Sequence, residues 1–186
     1  MNTLQAIATR YSCRDFDSRL PSEADLQKIA EAGVQAPSGM NRQQWRVVVI
    51  TNAALLAEME AEGLRVMQSM PDPSLYERIR ARGGKLFYGA PCLIALPIAQ
   101  ANPPGAEYFD AGILAENIAL AATDLGLASC LCGFTAFCFA GAKGAEFAAR
   151  LGFPEGYGIG LGVLIGYEKA AGVPHAPDLD KISFIR

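Results

Sequence analysis

Arg10-Tyr11-Ser12-Cys13-Arg14-Asp15-Phe16 and, further on, Ala36-Pro37-Ser38-Gly39-Met40-Asn41-Arg42-Gln43-Gln44-Trp45 are the two stretches around which the rest of the chain is read. The first sets two guanidinium groups and a hydroxyl close together. Arg10 and Arg14, four positions apart, converge on one anion if the segment is helical, or serve two points of one ligand if it is extended. The second is a Pro-Ser-Gly turn leading to amide side chains at the mouth of an apolar stretch. Amides offer donors and acceptors together, which suits the mixed edge of a heterocycle. An anion clamp joined to an amide-lined slot describes a phosphorylated ring cofactor.

The 186 residues suffice for one domain, residues 1–186, with a sizeable core. At 51% hydrophobic and 19% charged, the composition lies on the apolar side for a soluble monomer. The longest apolar candidate for a membrane span, Ala90 to Ala101, is short and broken by Pro91 and Pro97. The N-terminus lacks the basic, apolar and small-residue order of a signal peptide. The apolar excess is therefore read as an obligate subunit interface, which resembles a core cut in half. A net charge of −3 and a pI of about 5.2 leave no general basic field for nucleic acid, so any phosphate is held by a few placed cations. Cys13, Cys92, Cys130, Cys132 and Cys138 make an odd cysteine count, which points to free thiols in a reducing cytoplasm.

Asn2 is positioned to cap a first helix ending near Arg10, with Leu4, Ile7 and Ala8 on its inner face. Ser22 with Asp25 opens a second helix carrying Leu26, Ile29, Ala30 and Gly33 at helical spacing. Trp45 to Ile50 is a strand by its β-branched content. Asn52 starts another helix, and Pro71-Asp72-Pro73 turns into a further one bearing Tyr76, Ile79 and Arg80. Cys92 to Leu96 reads as a buried strand and Asn102-Pro103-Pro104-Gly105 as a loop. Asp110 to Leu125 reads as a buried central helix capped by Asp110 and stopped by Gly126. Leu127 to Leu131 and Ile159 to Tyr167 complete the strands, with a helix over Ala142 to Leu151. Strands and helices mix without a strict βαβ rhythm, so the expected class is α+β, with one mixed or antiparallel sheet flanked by helices.

Two cysteine and glycine patterns have plainer readings. Cys130-Leu131-Cys132 sets two thiols on one face of a strand, but no partner pair or nearby histidine completes a zinc set, and iron–sulfur spacing is lacking. Gly156-Tyr157-Gly158-Ile159-Gly160-Leu161-Gly162-Val163 mimics a dinucleotide fingerprint with the third glycine misplaced and no helix behind it. It is read as a strand with one glycine face that admits a close neighbour.

With these segments in view, the sequence resembles the nitroreductase family of FMN-dependent oxidoreductases. Arg10-Tyr11-Ser12-Cys13-Arg14 matches the family's Arg-x-Ser-x-Arg/Lys. Ala36 to Trp45 is similar to Ala-Pro-Ser-x-x-Asn-x-Gln-Pro-Trp, with Gln44 in place of proline. The resemblance implies a nitroreductase-like fold in an intertwined homodimer with FMN between the subunits. It implies that Arg10 holds the phosphate, Ser12 donates to the phosphate or flavin edge, Tyr11 contributes backbone contacts, and Arg14 lies near N1 and O2 of the ring. Pro37, Ser38 and Gly39 then come from the opposite subunit, Asn41 and Gln43 line the flavin site, and backbone amides of Leu131, Cys132 and Gly133 face the ring. The family's C-terminal cation is replaced in its neighbourhood by His175, and Lys169 could substitute. Implied too are NADH or NADPH as donor and a small-molecule acceptor, a nitroaromatic, a quinone or a relative of these. No catalytic side chain is expected, since the cofactor carries the chemistry, and no metal. Alternatives are a flavin-binding sensor or carrier without turnover, and a flavin enzyme of another reaction such as reductive dehalogenation. Met67, Met70, Tyr76 and Arg80 are candidates to cover the flavin or to pack in core or surface.

Overall fold

A computed structural model describes residues 1–101 and 105–186; the loop expected at Asn102-Pro103-Pro104-Gly105 lies, but for Gly105, outside the described residues. Four strands, β1 (Val48–Ile50), β2 (Cys92–Ala99), β3 (Ala128–Cys132) and β4 (Tyr157–Gly166), form one antiparallel sheet in the order β1-β2-β4-β3. The helices are α1 (Thr3–Thr9), α2 (Glu23–Val34), α3 (Ala53–Gln68), α4 (Ser74–Ala81), α5 (Glu107–Asp124), α6 (Thr135–Phe139) and α7 (Gly144–Arg150). The α+β class expected from the sequence is the class observed.

Both sheet faces are covered, and this is why β2 reads as a continuous apolar run rather than an alternation. Leu93 and Ala95 join Met59, Leu86, Cys138 and Phe147 on the face under α3 and α6. Ile94, Leu96 and Ile98 join Ile29, Leu114 and Ile118 on the face under α2 and α5. The strand runs past Leu96 because the register shifts between Leu96 and Pro97, and a bulge accommodates the missing N–H of proline. Pro97 still accepts from the Arg46 amide at 2.9 Å, and the Gln44 carbonyl accepts from Ala99 at 3.1 Å. The stretch before β1 thus follows β2 to its far end through the Trp45–Ile98 bridge.

The register shift at Gly160 splits the single glycine face expected of β4 between the two sides of the sheet, with Ile159 packed in one core and Leu161 in the other; a Cβ on Gly160 would stand 3.0 Å from Ile98 Cδ1, and one on Gly162 would overlap Thr135. The packing reading of this pattern holds.

Asn2, Ser22 and Asn52 each accept the expected backbone N–H, from Gln5, Asp25 and Leu55. Two helix expectations are corrected. The central helix begins at Glu107 after Ala106, with Asp110 inside its first turn. The Asp110 carboxylate instead accepts from the Gly39 amide at 3.3 Å, tying the Pro-Ser-Gly loop to α5. In α1 the inward residue is Ala6, whereas Leu4 and Ile7 are exposed. Smaller differences lie at the ends of the strands and of α7, where hydrogen bonding rather than apolar content sets the limit.

Glu62 of α3 is buried and accepts from Arg65 at 2.7 and 2.8 Å and from the Lys143 amide at 3.3 Å. The Arg65 hydrogen bonds are the main cause that holds its carboxyl down at about 2, against an ordinary 4.5. Because the folded value is depressed, this stabilisation is present in full above the unfolded value and is lost as pH falls through about 2. The Glu62→Gln protein is expected to be less stable than wild type at pH 7, with the gap shrinking between pH 4.5 and 2. Denaturant unfolding of both proteins at pH 7 and pH 3 checks this.

Candidate active site

Arg10 ends α1 as its C-cap with extended backbone angles, so the chain from here on leaves the helix. Ser12 bridges Ser129 of β3 in parallel, and the Cys13 amide donates to the Ser129 carbonyl at 2.9 Å. Arg10 and Arg14 therefore lie along the open edge of β3, about 13 Å apart at the usual rise per residue. Of the two arrangements the sequence left open, the structure takes the extended one, with two anchoring points rather than one.

The Arg10 end opens on a cavity of about 170 Å³ whose walls include Tyr11, Thr123, Ser129 and Glu168. Arg10 is mostly buried, and its Nε lies 3.3 Å from Glu116 Oε1 of α5. This pairing fixes the guanidinium plane and leaves the two terminal nitrogens for a ligand; among the described residues neither makes a hydrogen bond. Two further polar atoms, Tyr11 Oη and Ser129 Oγ, are buried with no hydrogen-bond partner. Orphaned buried hydroxyls are costly, and here both belong to residues that line the cavity of a half-free arginine. That combination suits a tetrahedral anion such as a phosphate monoester. Tyr11 lines this cavity and leaves its Oη unpaired, a side-chain feature beyond the backbone contacts expected of it.

Arg14 is exposed and lines a second cavity, of about 500 Å³, with Tyr88 and Phe134 among its walls. Tyr88 has a φ of +54°, strained for an aromatic residue. Because Ser129 turns its carbonyl away from β4, the alternation of the ladder turns Leu131 the same way. Of the three amides expected at the flavin, that of Leu131 thus faces the open edge and that of Cys132 is directed to β4 opposite Gly162, while Gly133, just past the strand, is exposed.

Pro37, Ser38, Gly39, Asn41 and Gln43 form a separate, ordered loop. Ser38 Oγ accepts from the Gln43 amide at 2.9 Å, and Asn41 Oδ1 accepts from Gln43 Nε2 at 2.9 Å. Met40, Asn41 and Gln43 all have φ near +50° without being glycine, a concentration of strain found at ligand clamps. Within one protomer this loop does not meet Arg10. Register places Gln44 beside Ala99 and Tyr157, and Ser12 beside Ser129 and Ile165. The two segments lie eight residues of β4 apart, about 26 Å, and four strand spacings of ~4.8 Å across. They occupy opposite corners of the sheet.

His175 is exposed and does not line the Arg10 cavity. Lys169 is engaged at 2.9 Å with Asp15, so the cavity receives Glu168 rather than a second cation. Met67 is core, Met70 is exposed, and Arg80 lies over the Tyr76 ring at 5.9 Å. Sequence reasoning missed Arg78 and Arg82, which line the Arg14 cavity; the alternation Arg78-Ile79-Arg80-Ala81-Arg82 around a buried Ile79 was the available signal.

All five cysteines are free and buried. Desolvation pushes Cys92 and Cys138 up to about 12 and Cys130 up to about 11, and it raises Cys13 and Cys132 as well. Thiols held protonated are poor nucleophiles, so nothing at this site calls for cysteine chemistry. Among the described residues no cluster of histidine, cysteine or carboxylate could hold a metal ion, and no helix is long and apolar enough to cross a membrane.

The chain matches the model of the nitroreductase family over residues 7–167. A protein of Archaeoglobus fulgidus with the provisional name NADH dehydrogenase/NAD(P)H nitroreductase is 31% identical over 126 residues, 68% of this chain and 64% of the relative. The match thus spans less than two thirds of that relative's length. A nitroreductase with bound FMN from Desulfitobacterium hafniense DCB-2 superposes with a TM-score of 0.95 at 55% identity, both chains fully covered. A nitroreductase with bound FMN from Bacteroides fragilis NCTC 9343 gives 0.91 at 26% identity, again over both whole chains.

Proposed function

Because the chain belongs to the nitroreductase family, we propose that it is a homodimeric FMN-dependent oxidoreductase that draws on NADH or NADPH and serves a nitroaromatic, a quinone or a related small acceptor. The observation that carries this reading is the pairing of two features along one strand edge: a half-free arginine among orphaned hydroxyls, and, about 13 Å further on, a larger cavity with a second arginine. A phosphate at one end of a molecule and a polar ring at the other fit these two points. The solved relative at 55% identity binds FMN.

When bound, FMN supplies two-electron chemistry at N5 of its ring. Arg10 would hold the phosphate with its terminal nitrogens while Glu116 keeps the guanidinium in place. Tyr11 and Ser129 would donate their free hydroxyls there. Arg14 would set a positive charge beside the ring, favouring its more negative, reduced form. The Leu131 amide on the open edge of β3, and the Gly133 amide just past the strand, would offer donors.

The amide loop completes this site from a second copy. Along α5, Phe109, Gly112 and Ile113 are exposed, with Glu116 and Leu120 partly so, forming one mostly apolar stripe. The loop is tied near the start of α5 through Asp110, and the Arg10 cavity lies near its end through Thr123. Two α5 helices packed antiparallel about a two-fold near Glu116 would bring the loop of one protomer to the Arg10 cavity of the other. Free buried thiols agree with a reducing compartment, and the cytoplasm is the location we propose.

The test is a visible spectrum after incubation with FMN and desalting, followed by anaerobic NADH and NADPH. Flavin that is retained and bleached is the expected result. Flavin that is retained but stays oxidised with both donors would remove the reductase half of the proposal.

A further inference from the structure

We infer that Arg78 of α4 and Arg82 at its C-cap, together with Arg14, form an anion subsite at the mouth of the flavin cavity, selecting a redox partner that carries a carboxylate or phosphate on a flat ring system. The inference rests on the proposed flavin site and names the substrate class that site accepts.

The cavity of about 500 Å³ gathers three guanidinium groups and no carboxylate on its walls, although the chain as a whole carries a net charge of −3. Among the described residues none of the three is in an ion pair. Several other cations are matched, Arg65 by Glu62, Lys143 and Arg150 by Glu58, and Lys169 by Asp15; among the described residues Arg42, Arg46, Arg80 and Lys85 are outside ion pairs too, but they do not line this cavity. Arginines near the end of α4 complement its dipole, but that accounts for neither Arg14, from a different segment, nor the convergence of all three on one cavity.

Their placement is built. Arg78 lies in the last turn of α4 and Arg82 is its C-cap, and both line the same cavity. Arg82 stands 5.8 Å from the centre of the Tyr88 ring, whose backbone is held at φ +54° and whose carbonyl accepts from Phe16 at 3.2 Å. Arg80, between them in sequence, turns away to Tyr76. Flavin would occupy Arg14 alone, leaving two like charges outside any ion pair, with the Asp72 carboxylate within electrostatic reach of Arg78. Tyr88 and Phe134 supply aromatic walls, so the ligand that satisfies the cavity is planar and negatively charged. That charge can come with the acceptor, as an aromatic carboxylate, or with the donor, as the 2′-phosphate of NADPH.

Calorimetric titration of the FMN-incubated protein separates the sources, using 4-nitrobenzoate against its methyl ester and 2′,5′-ADP against 5′-AMP. At least one anion is expected to bind about tenfold or more tightly than its control. In Arg78→Gln/Arg82→Gln this preference should fall to about threefold or less, with flavin content unchanged; Arg78→Lys/Arg82→Lys should restore part of it. Preference for 4-nitrobenzoate assigns the subsite to the acceptor, and preference for 2′,5′-ADP assigns it to the donor. No preference in either pair overturns the inference, as does a preference that survives in the glutamine variant, or loss of flavin from that variant, which would make the arginines cofactor ligands. Anion preference in a wild-type protein that retains no flavin would leave the subsite standing and remove the flavin reading instead.

Discussion

Replacing Arg10 by Ala is expected to weaken FMN retention by roughly 10- to 100-fold while leaving the fold intact. The magnitude follows from charge-assisted hydrogen bonds of about 1.5–3 kcal/mol, and from the hydroxyls of Tyr11 and Ser129, too few to hold a dianion without it. The loss should exceed that from a simple charge change, because Glu116 would be left facing the phosphate with no cation between them. Arg10→Lys should recover the charge but not the fork, and so only part of the affinity. Equilibrium dialysis with FMN measures this directly. The contrasting variant is Arg14→Ala, which should retain more flavin than Arg10→Ala yet make its reduction harder, because the cation beside the ring is removed. Equal FMN affinity in wild type and Arg10→Ala would contradict the phosphate assignment.

The second large effect concerns the stripe on α5. Phe109 is 77% exposed and Ile113 is 40% exposed in the protomer, so glutamates at both positions cost the isolated fold little. At an apolar seam between two copies, each buried carboxylate without a partner costs about 1–3 kcal/mol or more, and the two-fold doubles every substitution. Phe109→Glu/Ile113→Glu should therefore raise the dimer dissociation constant by ~100-fold or more. Flavin retention should fall with it, although neither side chain lies in either arginine cavity. Sedimentation of the variant alongside its circular dichroism would separate dissociation from unfolding. A variant that remains dimeric would place the interface elsewhere on the molecule.

These two effects also mark what was legible in the sequence. Local hydrogen bonding was: Asn2, Ser22 and Asn52 cap the helices they precede, because a cap acts over three residues. Asp110 shows the same logic failing. It had the side chain of a cap, but the amide it serves is that of Gly39, seventy-one positions away. The strand expected over Cys92 to Leu96 continues to Ala99, and the register shift between Leu96 and Pro97 shows how the ladder passes the proline. Leu4 and Ile7 have the spacing of a buried face, and in one protomer they are exposed; a surface that a second copy would cover carries the same pattern as a core.

The candidate site divides in the same way. Arg10 and Arg14 each line a cavity, and four residues of extended chain fix their separation, whereas Ser12 lines neither cavity. Arg78, Arg82, Tyr88 and Phe134 were not legible, because they reach the Arg14 cavity from α4 and two later turns. Lys169 was a reasonable second cation until its pairing with Asp15 was visible. No spacing rule reports which of two nearby carboxylates a lysine will choose.

The central claim is that each flavin site draws its arginines from one copy and its amide loop from the other. Co-expression of two differently tagged chains, one Arg10→Ala/Arg14→Ala and one Asn41→Ala/Gln43→Ala, followed by purification through both tags, isolates the mixed dimer. One of its two sites then combines the intact arginines of one chain with the intact loop of the other, and the second site lacks both. Retention of one FMN per mixed dimer, with little or none on either parent dimer, is the result expected. A mixed dimer that binds no more FMN than its parents would contradict a site shared between subunits.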